Sequence, residues 1–240
     1  MHLAVLVTNT DRSDFAARHP RDDEKFRRLI ASVRPAWQIS AFDLPEGRFP
    51  AEIAAFDGLV IGGSPASVND PAAWIARLMR LIVEAHDTGI PMVGACFGHQ
   101  AIAKALGGEV RPNPSGWVFG AVDTPISLPA PWMPDSARRI TLAAAHGEQV
   151  TALPPGAQVL GGTAACPIGC YRIGQAVFAI QHHPEITEAF LDGLVREYAP
   201  ILPPDVAARA RDSLDRNLEG PRFAEWMARF FEQARPRTGA

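Results

Sequence analysis

Cys96 lies in the run Gly94-Ala95-Cys96-Phe97-Gly98-His99-Gln100. An apolar stretch, Ile90–Ala95, precedes it, and a helix-compatible stretch, Ala101–Leu106, follows. A strand that turns abruptly into a helix can present one side chain at its tip, exposed and strained. Small residues must flank that tip, because the chain there passes close to itself. The run is therefore the Gly-x-Ser-x-Gly nucleophile elbow with cysteine at its centre, and the chemistry is covalent catalysis by sulfur. A helix N-terminus adds free N–H groups and a dipole that favour the thiolate. The plainer alternative is a buried small residue, a frequent fate of free cysteine. The two glycines and the strand-to-helix switch weigh against it.

A cysteine nucleophile needs a base. Of the seven histidines, His2 opens an apolar run, and His19 and His86 lie near helix ends. His99 is one residue past Gly98, which aims it away from the thiol. There remain His146 and the pair in Gln181-His182-His183-Pro184-Glu185. That pair closes a strand-like segment, Val177–Ile180, and strand ends are where α/β sheets carry chemistry. A glutamate two residues from a histidine can orient its ring and stabilise its charged form. A solvated turn is the competing reading of His-His-Pro-Glu taken alone.

The elements that must position these residues alternate in type. Leu3–Val7, Trp37–Phe42, Phe56–Ile61 and Ile90–Ala95 read as short buried strands. Asp22–Val33 and Pro71–His86 read as helices, the second with Asp70 as its cap, Pro71 in its first turn and Gly89 past its end. This alternation predicts a parallel sheet covered on both faces. After Gly108, proline and glycine punctuate short runs at Trp117–Val122, Ile140–Ala144, Ala157–Leu160 and Ala176–Ile180, which predicts a more antiparallel appendage. From Glu185 the pattern is helical again. In Pro221–Gln233, Phe223, Trp226, Met227, Phe230 and Phe231 recur at helical spacing, as expected of a helix packed back on the domain.

The bulk numbers restrict the function classes. Of 240 residues, 47% are hydrophobic and 20% charged, and the net charge is −3, so neither nucleic acid nor an anionic membrane is an expected partner. No apolar run is long enough to span a bilayer, and the opening residues read as a first buried strand and not as a leader. Three cysteines, Cys96, Cys166 and Cys170, form no disulfide framework and fit a reducing, cytoplasmic setting. Cys166, Cys170, His146 and His182 could be drawn as a zinc set, but Cys-x-x-x-Cys straddling Pro167 and Gly169 is a poor ligand spacing. No metal and no cofactor is expected.

Taken together, the elbow and the Gln181–Glu185 segment resemble the class I, or triad, glutamine amidotransferases. Ile61-Gly62-Gly63-Ser64-Pro65-Ala66-Ser67 and His146-Gly147-Glu148-Gln149-Val150 agree, as do Leu153–Ala157 and Cys166-Pro167-Ile168. Their order is similar to that of the glutaminase part of GMP synthase and its free-standing relatives, from about Leu3 to Glu185. The resemblance implies an α/β, flavodoxin-like three-layer sandwich with a mostly parallel sheet, an appended antiparallel region and C-terminal helices. It implies residues 1–190 as the amidotransferase domain and 191–240 as a helical extension packed on it. It also implies Cys96 as nucleophile, His183 as base and acid, and Glu185 as the group that orients His183. The backbone N–H groups of Gly63 and Phe97 would form the oxyanion hole, and Gln100 would lie near the substrate.

Two positions depart from the family pattern. His182 stands where an aromatic residue is common, and Val118 follows Trp117 where an acidic residue is frequent. Strand alternation separates His182 from His183, and the Pro-Glu register selects His183. No Ser-Gly-Gly-rich phosphate-binding loop follows Glu185, so GMP synthesis by this chain alone is not expected. The implied activity is hydrolysis of the γ-amide of glutamine, with ammonia passing to a separate synthetase subunit. A stand-alone γ-glutamyl peptidase or hydrolase uses the same triad. A non-catalytic regulatory or binding subunit of the same fold is the third possibility, and the intact Cys96, His183 and Glu185 count against it.

Overall fold

A computed structural model describes residues 1–134, 136 and 138–234. The first part of the chain runs β1 (His2–Val7), α1 (Asp14–Ala17), α2 (Asp22–Ala31), β2 (Gln38–Asp43), β3 (Gly58–Ile61), α3 (Ala73–Asp87), β4 (Met92–Ala95) and α4 (Phe97–Ala105). Then follow β5 (Glu109–Pro112), β6 (Val118–Pro125), β7 (Arg139–His146), β8 (Glu148–Ala152), β9 (Ala157–Gly161), β10 (Cys170–Ile173) and β11 (Val177–Ile180). Three helices close the chain: α5 (Glu188–Tyr198), α6 (Pro204–Asp212) and α7 (Gly220–Ala234).

Seven strands form one sheet in the order β2-β1-β3-β4-β11-β10-β9. The pairs from β2 to β11 are parallel, and β10 and β9 are antiparallel additions at one edge. The hairpin β6-β7 and the pair β5-β8 stand apart from it. The alternating-element pattern thus produces the expected flavodoxin-like sandwich.

Side chains alternate across each strand, so β1 serves two cores. Leu3 and Val5 join Phe26 and Ile30 of α2 and Phe223 and Phe230 of α7 on one face. Ala4 and Leu6 join Ile75 and Leu78 of α3 and Phe97 and Ile102 of α4 on the other. Phe178 of β11 stacks on Phe223 with ring centroids 5.0 Å apart, which fastens α7 under the strand that leads to His183. Truncating a ring so placed costs about 3–5 kcal/mol. A third cluster packs Phe119 and Ala121 of β6 against Leu191 and Val195 of α5 and Val206 and Ala210 of α6.

Two local expectations fail at the start of α3. The helix begins at Ala73, with Ala72 at its N-cap and no side-chain cap, so Asp70 does not cap it and Pro71 lies outside its first position. The Asp70 carboxylate instead accepts the Ser67 N–H at 2.9 Å, while the Asp70 N–H donates to the Ser67 carbonyl at 3.1 Å. The tight turn over Ser67–Asp70 has taken the capping group before the helix begins. Gly89 follows α3 with φ +73°, as its position predicts. No helix among the described residues is long and apolar enough to cross a membrane.

Candidate active site

Strand β4 ends at Ala95 and α4 begins at Phe97, leaving Cys96 alone in the bend. Contrary to the exposed tip expected of an elbow, its side chain is buried, at 4% exposure, beneath the Gly63 loop and the His183 ring. The Cys96 backbone has φ +51° and ψ −105°, and among the described residues it is the one non-glycine at positive φ. Such a conformation costs on the order of 1–3 kcal/mol and persists only where its surroundings impose it. The flanking glycines are required sterically. A Cβ on Gly94 would lie 2.7 Å from the Gly98 backbone, and one on Gly98 would lie 2.2 Å from the Ile61 carbonyl oxygen. The Gly98 N–H donates to the Gly62 carbonyl at 3.0 Å, tying the elbow to the loop after β3.

That loop carries Gly63. Thr8, at the end of β1, donates its hydroxyl to the carbonyls of Gly62 (3.0 Å) and Gly63 (2.9 Å) and fixes the backbone there. A Cβ on Gly63 would meet His183 Cε1 at 2.5 Å and Cys96 Cβ at 3.6 Å. The Gly63 backbone therefore borders both the sulfur-bearing residue and the imidazole. Phe97 is the first helical residue, so its N–H has no acceptor within α4. Gly63→Ala is expected to displace the His183 ring and cut turnover about 10²-fold or more while the melting temperature changes little. A variant of unaltered activity would show that the loop is not close to the reacting groups.

His183 follows β11 and is pinned by its own backbone: its N–H donates to the Ala143 carbonyl of β7 at 2.8 Å. Its Nδ1 bonds Glu185 Oε1 at 2.8 Å, and both side chains are buried. With Nδ1 so engaged, Nε2 is the nitrogen left for a reacting group. Burial opposes charging of the ring, but the Cys96 sulfur and then the Glu185 carboxylate outweigh it, and the His183 pKa stands well above 6.5. Burial likewise opposes ionisation of Glu185, yet His183 holds its pKa below 4.5. The arrangement is an imidazolium poised beside a cysteine and braced by a carboxylate.

The pH consequences have definite signs. Folding raises the His183 pKa, so its stabilising contribution is complete below the unfolded value near 6.5 and is lost as pH rises through the raised one. Folding lowers the Glu185 pKa, so its contribution is present above about 4.5 and is lost as pH falls through the depressed one. Glu185→Gln is expected to move the alkaline limb of the kcat/KM profile to lower pH and to reduce kcat about 10²–10⁴-fold. An unmoved alkaline limb would contradict the role of Glu185.

The other three histidines near this point are of a different kind. His99, His146 and His182 are buried. Burial first, and neighbouring histidines second, lower the pKa of His99 to about 3 and that of His182 well below 6.5. Burial lowers His146 to about 4. His182 Nδ1 pairs with the Thr124 hydroxyl at 2.9 Å. His99 packs on Tyr171, with ring centroids 4.8 Å apart. Gln100 is also buried, and its Nε2 donates to the Glu148 carbonyl (3.0 Å) and to Gln181 Oε1 (3.2 Å). Gln181 in turn points its Nε2 at Cys96 Sγ, 3.7 Å away. Thr8 and Gln181 are site residues that the sequence reading passed over; the polar residue ending each apolar run was their only signal.

A cavity of about 460 Å³ adjoins the site and is lined by Gly63, His183 and Glu185 at this end.

The glutamine amidotransferase class-I family model matches residues 37–192. A GMP synthase [glutamine-hydrolyzing] of Neisseria meningitidis serogroup C is 34% identical over 165 residues, which are 67% of this chain and 30% of that protein. Gamma-glutamyl peptidase 3 of Arabidopsis thaliana is 28% identical over 178 residues, 66% of this chain and 67% of that protein. The chain thus spans about a third of the length of the GMP synthases it matches. A glutamine amidotransferase from Thermotoga maritima has the same fold, with a TM-score of 0.73 over 96% of this chain and 98% of the other at 18% identity. A glutamine amidotransferase from Methylobacillus flagellatus gives 0.71 over 99% and 96% at 22% identity. With a family model matched across well over half its length, the chain belongs to the class I glutamine amidotransferases.

Proposed function

We propose that Cys96, His183 and Glu185 act as a catalytic triad that hydrolyses the γ-amide of glutamine and releases ammonia. The sulfur anion attacks the amide carbon, and the carbonyl π-electrons move onto oxygen. The N–H groups of Gly63 and Phe97 hold that oxyanion, and such preorganised donors act most strongly on the charge that develops at the transition state. His183 gives its Nε2 proton to the nitrogen, the C–N bond breaks, and a γ-glutamyl thioester remains. Water then attacks the thioester with its proton taken by His183, and glutamate leaves as the sulfur anion is restored.

The observation that carries this reading is the left-handed backbone of Cys96 beside a buried His183–Glu185 pair. Strain retained at a cysteine next to a charged imidazole serves chemistry and contributes nothing to packing. Likeness to glutamine-hydrolysing GMP synthases supports a separate synthetase as recipient of the ammonia. The large cavity beside His183 favours a second reading with the same triad, a stand-alone γ-glutamyl hydrolase. Glutamate release measured with the purified chain, from glutamine and from γ-glutamylated amines, tests the proposal. Absence of release from every γ-glutamyl amide, with and without a synthetase, would refute it.

A further inference from the structure

We infer that the cavity beside His183 is a leaving-group pocket, and that it selects γ-glutamyl amides whose amine half carries an aromatic group. This rests on the triad reading above, because His183 is the group that protonates the departing nitrogen. The cavity that Gly63 and His183 line is the open space beside that imidazole for the amine half. Ammonia needs about 30 Å³, the share of a water molecule. The cavity offers about 460 Å³, the size of a site for an organic ligand.

Its walls define the ligand. Phe15 of α1, Phe119 of β6, and Phe190 and Tyr198 of α5 line it, and the half-exposed Trp117 lies at its margin. Phe15 and Phe190 stand 5.5 Å apart between ring centroids, with His19 packed on both and the Lys25 ammonium over Phe190, while Phe119 and Tyr198 stand 5.7 Å apart in a tilted geometry that also suits a further ring. Trp117 lies over Gly147, where a Cβ would meet the indole at 3.2 Å. Most charged residues of the cavity are paired. Arg21 and Arg48 hold Asp43 at 2.7 and 3.1 Å, Lys25 holds Asp22 at 2.9 Å, and Arg12 holds Glu46 at 3.3 Å. The Asp11 carboxylate accepts the Ser13 N–H at 2.8 Å.

The test compares γ-glutamyl-benzylamide with γ-glutamyl-methylamide, two alkyl amides that differ in the ring. Wild-type kcat/KM is expected to favour the benzylamide on the order of 10- to 100-fold, the worth of burying one phenyl group. Ala16→Trp or Leu194→Trp, each filling the cavity away from the triad, should erase that preference and leave methylamide turnover unchanged. Equal turnover of the two amides, refusal of both alongside glutamine hydrolysis, or a preference that survives both fillings would overturn the pocket and leave the triad standing. Turnover of either amide by Cys96→Ser would overturn the triad reading, and the pocket with it.

Discussion

Cys96→Ser is expected to lower kcat/KM for γ-amide hydrolysis roughly 10⁴-fold or more and to leave the fold intact. Serine matches the shape of cysteine, but its hydroxyl is far from ionised beside an imidazole, so the attacking form vanishes while the elbow remains. Cys96→Gly separates the two explanations of this residue by sign. If Cys96 is a strained nucleophile, glycine relieves φ +51° and raises stability by about 1 kcal/mol or more as activity disappears. If Cys96 merely fills the core, glycine removes buried apolar area and lowers stability. Thermal melts beside an ammonia assay distinguish these outcomes.

His183→Asn and His182→Asn should differ by orders of magnitude in activity. An asparagine at 183 can still donate to Glu185, which avoids leaving a buried carboxylate without a partner, a loss worth about 3–5 kcal/mol. It cannot shuttle a proton, so kcat is expected to fall about 10²–10⁴-fold. An asparagine at 182 can keep the Thr124 contact, and this side chain packs on Thr124 and His146. Its effect should appear in stability, with kcat of the folded protein close to wild type. Inactivation by His182→Asn with His183→Asn active would reverse the register of the two histidines.

Much of this arrangement could be read from residues close in sequence. Glycines two positions either side of Cys96, an apolar run before them and a helical run after them describe a bend that small side chains alone permit, and the structure has that bend. Alternation of strands and helices up to Gly108 was enough for a parallel sheet, since no other arrangement buries such runs. The aromatic spacing in α7 marked a buried face, and Phe223, Phe230 and Phe231 are buried.

What was not legible depends on long-range contact or on competition between local bonds. Asp70 had the right type and place for a cap and was taken by its own turn. The bonds of the Gln100 amide nitrogen to Glu148 and Gln181, 48 and 81 residues away, have no local signal. Thr8 braces Gly62 and Gly63 from 54 and 55 residues away, which no motif encodes. The cavity draws on α1, α2, the Asp43–Arg48 segment, the Gly63 loop, the Trp117–Phe119 segment, His183 with Glu185, and α5, stretches without a common pattern.

Labelling by a glutamine-derived diazo-ketone, followed by peptide mass spectrometry, tests the central claim most directly. All three cysteines are buried, but burial raises the pKa of Cys166 to about 12 and that of Cys170 further, and among the described residues neither has an imidazole beside it as Cys96 does, so neither thiol competes. One label per chain, on the peptide containing Cys96, with ammonia release lost in proportion, is the expected result. Label on Cys166 or Cys170, or full amide hydrolysis by a chain labelled at Cys96, would contradict the account.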